Sequence, residues 1–197
     1  MSLHLDLLRH GETTSGGGFR GRLDDELTAS GWQQMRQAVA GDGRWQRVVS
    51  SPLKRCAHFA AELAEQHGLQ LELEPAFREL DFGNWEGRTA ANLMVEHGDD
   101  LGRFWNDPYG FTPPGGEPLT RFEARILTAL ERLADRWAGE RVLLVTHGGV
   151  MRLLLAEARG LPRQQLLRVE VGHGDLFGLR VGFRDATLWL EETCSRS

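Results

Sequence analysis

The sequence predicts an α/β fold, a three-layer α/β/α sandwich around a mostly parallel sheet, and three observations predict it. Apolar runs at residues 3–8, 48–49 and 142–145 each end abruptly in a loop. Two of these runs lead through a short turn straight into helical spacing. Strict alternation, the mark of half-buried strands, is confined to residues 69–75 and to the last part of the chain.

Taken in order, Leu3, Leu5, Leu7 and Leu8 form a buried strand that stops at "HGETTSGGG", so His10 stands at a strand's carboxyl end. In "RVVSSPLKRCAHFAAELAEQHG", Val48 and Val49 form the next strand. Ser51 caps the following helix, Pro52 takes its first position and Gly68 ends it. Residues 69–75 alternate as a further strand. From 121 to 137, Phe122, Ile126, Leu130, Leu133 and Trp137 keep helical spacing behind a capping box of Thr120 and Glu123. The run 142–145 is a strand that delivers His147 to a second loop and helix. The segment "DLFGLRVGFRDATLWLEE" reads as a terminal hairpin around a Gly-Phe-Arg-Asp turn.

The 197 residues suit one domain, 1–197, with a lid-like insertion at about 81–118. A composition 41% hydrophobic and 26% charged, with net charge −5, describes an ordinary globular chain and argues against general nucleic-acid binding. Cys56 and Cys194 match neither a disulfide framework nor a metal spacing. His4 and Asp6 interrupt the leucines at the N-terminus, so no secretory signal is read there, and a cytoplasmic location without a membrane partner is expected.

Ligands of open parallel sheets bind outside the carboxyl edge of the strands, and here strand ends deliver Arg9 and His10, Arg55, and His147 toward that edge. Arg55 falls in the first turn of its helix, where the macrodipole disfavours a cation. A bound anion explains that placement, and pairing with Glu62 is the plainer alternative.

With "ELDFGNWEG" at 79–87, the chain resembles the histidine phosphatase superfamily, the group that includes cofactor-dependent phosphoglycerate mutases. The likeness rests on five ordered segments: Arg9-His10-Gly11 with Glu12 and Thr13; "GRLDDELTASGWQQ" from Gly21; Ser50 to Arg55; Glu79 to Gly87; and "THGG" around His147 and Gly148. It implies a phosphoglycerate mutase-like fold and His10 as a nucleophile that becomes phosphohistidine. It further implies Arg9, Arg55 and His147 as phosphate ligands, with Thr13 and Gly148 beside the substrate. Glu79 is the implied proton donor, with Glu86 the competing acid; neither metal nor cofactor is implied. Glu26 replaces a usual proline, and Gly16 stands where many relatives carry asparagine, leaving Ser15 or a glycine amide as the substitute.

His173 reads first as structural and second as an approach to the active-site edge. Trp85, Phe104, Trp105, Tyr109 and Phe111 read as packing, with a second reading as lid rings that stack on a flat organic group. Segment spacing and "VEVGHGDLFGLRV" look most like the alpha-ribazole phosphatases of cobalamin nucleotide-loop assembly. A broad-specificity sugar-phosphate or phosphoglycerate phosphatase, or a mutase-like enzyme, is the alternative, and a non-catalytic phospho-ligand binding module the reading from another class. The expected partner is a small phosphate monoester, with a homodimer as the possible assembly.

Overall fold

The computed structural model describes residues 1–41 and 45–193, so Cys194 lies outside the described residues. Strands β1 (Leu3–Arg9), β2 (Arg47–Ser50), β3 (Gln70–Leu73), β4 (Arg141–Thr146), β5 (Leu176–Arg184) and β6 (Thr187–Thr193) form one sheet in the order β3-β2-β4-β1-β5-β6. The first four are parallel, and β5 and β6 continue the sheet antiparallel beside β1. Helices α1 (Ala29–Val39), α2 (Lys54–His67), α3 (Ala90–Asn106), α4 (Leu119–Arg136) and α5 (Gly148–Ala158) complete the α/β sandwich expected from the sequence.

The layering follows from the period of the strands. Leu3, Leu5 and Leu7 enter one core with Val49, Leu144 and residues of α3, α4 and α5. Leu8 turns to the opposite core, with Val48, Leu143 and Val145 against Met35 of α1 and Phe59 and Leu63 of α2. Both faces of the central strands are covered, which is why they read as apolar runs. The buried Asp6 is tolerated because Trp45 Nε1–H (2.7 Å) and Arg141 Nε–H (2.8 Å) donate to it. Among the described residues no helix is long and apolar enough to cross a membrane.

Three local expectations are corrected. Helix α4 starts directly after Pro118, so Thr120 is already inside it and no side-chain cap forms; Glu123 pairs instead with Arg163 at 3.1 Å. Helix α2 starts at Lys54, past Pro52, and Ser51 reaches His147. The terminal hairpin forms, but its turn is Asp185 and Ala186, so only the last residue of the Gly-Phe-Arg-Asp stretch lies in it; both carry positive φ (50° and 60°), the twist that suits a two-residue hairpin loop.

Register then places the site. Arg9 lies opposite Thr146 and Ser50 opposite Val145, so the loops leaving β1, β2 and β4 emerge side by side on one edge.

Candidate active site

His10 follows β1 directly, and its backbone N–H donates to Thr146 O at 3.0 Å. The ring is 6% exposed, and its Nδ1 lies 2.8 Å from Gly11 O. A carbonyl only accepts, so Nδ1 carries the hydrogen and Nε2 keeps its lone pair. Burial, with Arg55 and Arg9 nearby, holds the imidazole's pKa well below the ordinary histidine value. Glycine is required at 11 by close packing: a Cβ there would meet Gly31 O of α1 at 2.1 Å.

His147 precedes α5, fully buried, with its ring centroid 5.3 Å from that of His10. Arg55 Nε–H donates to its Nδ1 at 3.3 Å, so the opposite nitrogen carries the hydrogen and donates to Ser51 Oγ at 2.7 Å. Both nitrogens of His147 are therefore engaged.

Arg55, also fully buried, donates further to the carbonyls of Gly21 (3.0 Å), Arg20 (3.4 Å) and Leu23. These carbonyls offset the cation in the first turn of α2, and Glu62 pairs with Arg36 instead, at 2.9 Å. One of the five guanidinium hydrogens remains for a ligand.

The loop presenting those carbonyls is held by Glu86, whose carboxylate accepts the N–H groups of Gly21, Arg22, Leu23 and Phe82 at 3.0–3.2 Å. This is the work of the competing acid: it staples the frame around Arg55. Glu86→Ala strands several of these donors, and thermal unfolding is expected to show a loss of about 3 kcal/mol, or roughly 6–12 °C in Tm. An unchanged Tm would remove the staple from this account.

Glu79 Oε2 accepts Gly149 N–H at 2.9 Å and Oε1 accepts Leu80 N–H at 3.0 Å. The carboxylate thus sits on the first turn of α5. A Cβ at 149 would approach Glu79 Oε1 to 2.2 Å, so any larger residue there displaces the carboxylate. Arg9 donates to Val171 O at 2.7 Å, while its buried Nε–H has no partner. Burial lowers its pKa, and Glu79 acts in the opposite direction.

Arg152, one turn into α5, donates through Nε to Val169 O at 3.0 Å. A Cβ on Gly148 would lie 3.1 Å from Arg152 Nη1 and 3.2 Å from Arg9 Nε, so two guanidinium groups converge there. The sequence reading missed Arg152; its i, i+4 position after Gly148 was the available signal.

Arg9, His10, Glu79 and Arg152 line a cavity of about 470 Å³, whereas the fully buried Arg55 and His147 are not part of its lining. Its polar lining includes Arg9, His10, Thr13, Glu79, Arg152 and His173, and its aromatic lining is Phe19, Phe82, Phe104, Trp105 and Phe122. Gly16 lines the cavity as well, but Ser15 is no substitute for the absent asparagine, since its hydroxyl donates to Asp25 at 2.7 Å. Trp85 packs with Phe19, Phe104 and Phe111 as core, whereas Trp105 is 44% exposed. Among the described residues no group of three or more His, Cys, Asp or Glu side chains is placed to hold a metal ion.

Burial lowers the pKa of His147 as it does that of His10. Below about pH 6.5 the unfolded chain takes up both protons while the native site refuses them until lower pH. Stability is therefore full above that pH and lost below it, by about 1.4 kcal/mol per pH unit for each ring. Urea unfolding of the unliganded protein at pH 7.5 and 5.5 is expected to differ by about 3 kcal/mol; equal stability would contradict two neutral buried rings.

The histidine phosphatase superfamily (branch 1) profile matches residues 5–189. The adenosylcobalamin/alpha-ribazole phosphatase of Escherichia coli K12 is 29% identical over 190 residues, covering 94% of each chain. The alpha-ribazole phosphatase from Shigella flexneri superimposes with a TM-score of 0.81 at 28% identity, covering 98% of this chain and 97% of its own. A mycobacterial glucosyl-3-phosphoglycerate phosphatase does so at 0.84 and 28% identity, covering 96% of each.

Proposed function

The chain belongs to the histidine phosphatase superfamily, and from that premise we propose that it hydrolyses a phosphate monoester of a flat nucleoside-like alcohol, with alpha-ribazole phosphate as the substrate. One observation carries the choice: the cavity that Arg9 and Arg152 line is also lined by five aromatic rings. A benzimidazole ring stacks on these rings over its whole flat face, whereas a sugar offers them only a C–H face. The name of the Escherichia coli relative agrees with this reading.

In the proposed cycle Nε2 of His10 attacks phosphorus, the ester P–O bond breaks, and the Glu79 carboxyl gives its proton to the departing alkoxide. Water then attacks the phosphohistidine while Glu79 takes its proton. The P–N bond breaks, the imidazole recovers its lone pair, and orthophosphate leaves. Arg9 offers its unpartnered Nε–H, Arg152 stands beside it, and Arg55 supplies charge and its one free N–H. His147 reaches the phosphoryl group when its Nε2–H leaves Ser51. Thr13 borders the anion, Gly148 stands where Arg9 and Arg152 converge, and residues 81–118 act as the lid that brings Phe82, Phe104 and Trp105 over the base.

A kinetic panel of alpha-ribazole phosphate, 3-phosphoglycerate and common sugar phosphates tests the assignment. We expect kcat/KM to favour the first by a factor on the order of 10², and a flat or inverted order overturns it. Trp105→Ala is expected to raise KM for alpha-ribazole phosphate about 2- to 10-fold, the worth of one stacked ring, and to leave sugar phosphates unaffected. An equal change for both classes would place Trp105 outside the base site.

A further inference from the structure

We propose that His173 is a second imidazole of the reaction, which donates an N–H to the transferred phosphoryl group from the open side of the cavity; the proposal rests on the phosphohistidine reading above. His173 lies in the loop before β5, and that loop is tied to the nucleophile's own strand. Arg9 N–H donates to Asp175 O at 3.0 Å, and β5 pairs with β1 from Leu176 onward. Within the loop, Gly172 N–H donates to the Asp175 carboxylate, which closes a short turn around His173. The ring is thereby set with its centroid 5.6 Å from that of His10, tilted by 43°.

His10 thus stands between two imidazoles of different availability. His147, on the buried side, spends one nitrogen on Arg55 and the other on Ser51. His173 lines the cavity, is exposed, and has no hydrogen-bond partner among the described residues. Of the two neighbours, His173 is the one with an uncommitted N–H to give.

The ring is faced by Arg9, His10, Glu12 and Asp175. Partial burial and Arg9 lower its pKa, with Glu12 and Asp175 acting in the opposite direction. A dianionic phosphoryl group beside Arg9 cancels that repulsion and favours the imidazolium, which gives a charge-assisted bond. Anion binding then takes up a proton, so the contribution of His173 is greater at low pH and fades as pH rises.

Orthovanadate inhibition of the full chain tests this with two variants, His173→Leu, which removes the donor, and His173→Gln, which keeps an N–H that does not titrate. The side chain holds no bond in the fold, so unchanged thermal unfolding is expected for both. We expect His173→Leu to raise the vanadate inhibition constant about tenfold at pH 6 and about threefold at pH 8. His173→Gln should recover most of the pH 8 loss and little of the pH 6 loss. Histidine NMR should show the His173 ring titrating at higher pH with vanadate than without it.

Inhibition by vanadate within twofold of wild type for His173→Leu at both pH values, or a titration unmoved by vanadate, overturns the proposal. Acid-free quenching of the wild-type enzyme with labelled substrate separates the two readings. Label on His10 together with unchanged vanadate inhibition defeats the role of His173 alone. Absence of label defeats the phosphohistidine reading beneath it.

Discussion

His10→Ala is expected to abolish hydrolysis, lowering kcat by a factor on the order of 10⁵ to 10⁶, while orthovanadate continues to bind. The expectation comes from where the lone pair sits. Gly11 O takes the Nδ1 hydrogen, and burial beside Arg55 and Arg9 keeps a proton off the other nitrogen, so the attacking atom is prepared without a separate base. No neighbour replaces it. His147 has both nitrogens engaged, and Cys56, buried next to it, has its thiol pushed up to about 12. The anion pocket, by contrast, survives the substitution, because Arg9 and Arg152 are anchored to Val171 O and Val169 O and not to His10. Rapid quenching without acid is the decisive measurement: wild type should carry labelled phosphate on a histidine and the variant none. Near-normal turnover in the variant would refute covalent catalysis.

The parts legible in the sequence are those that depend on neighbours along the chain. Leu3, Leu5 and Leu7 declare a strand because a parallel strand between two helical layers can expose neither face, and Arg9 and His10 stand at its end for the same reason. The segment around Glu79 and Glu86 was visible too, but which acid does what was not. Both accept backbone N–H groups, and only the fold shows that Glu86 is spent on residues 21–23 while Glu79 rests against α5. Phe122 keeps helical spacing and reads as core, yet it also borders the cavity, since the core and the cavity wall are one continuous apolar surface. Arg152 lies outside the resemblance's motif residues and His173 lies in "VEVGHGDLFGLRV" without a role assigned to it, and both reach the site through tertiary contacts: a helical turn beyond Gly148 in one case, an antiparallel strand docked on β1 in the other. Helix starts were displaced because Pro118 and Leu53 precede them without side-chain caps.

Glu79→Gln is expected to divide substrates by their leaving groups. In the proposed cycle the carboxyl has one task in the first half, protonating an alkoxide that leaves poorly by itself, and a positioned acid contributes about 10² to 10⁴ to such a step. The value of kcat/KM reports events up to formation of phosphohistidine. It should therefore fall by about that factor for alpha-ribazole phosphate and by far less for nitrophenyl phosphate, whose leaving group departs without a proton. The second half of the cycle supplies an independent signature. With no base to draw a proton from water, the phosphoenzyme should accumulate, and nitrophenyl phosphate should give a burst of one equivalent followed by slow turnover.

Local geometry sets a limit on the comparison. Gly149 N–H and Leu80 N–H both point at the Glu79 carboxylate, so the amide nitrogen of glutamine opposes one donor with another and weakens that anchor for every substrate. This disturbance is common to both esters and cancels in their ratio, and the ratio is what assigns the role. An equal loss of kcat/KM for both esters, without a burst, would leave Glu79 as an anchor of α5 and return the proton to another group of the cavity.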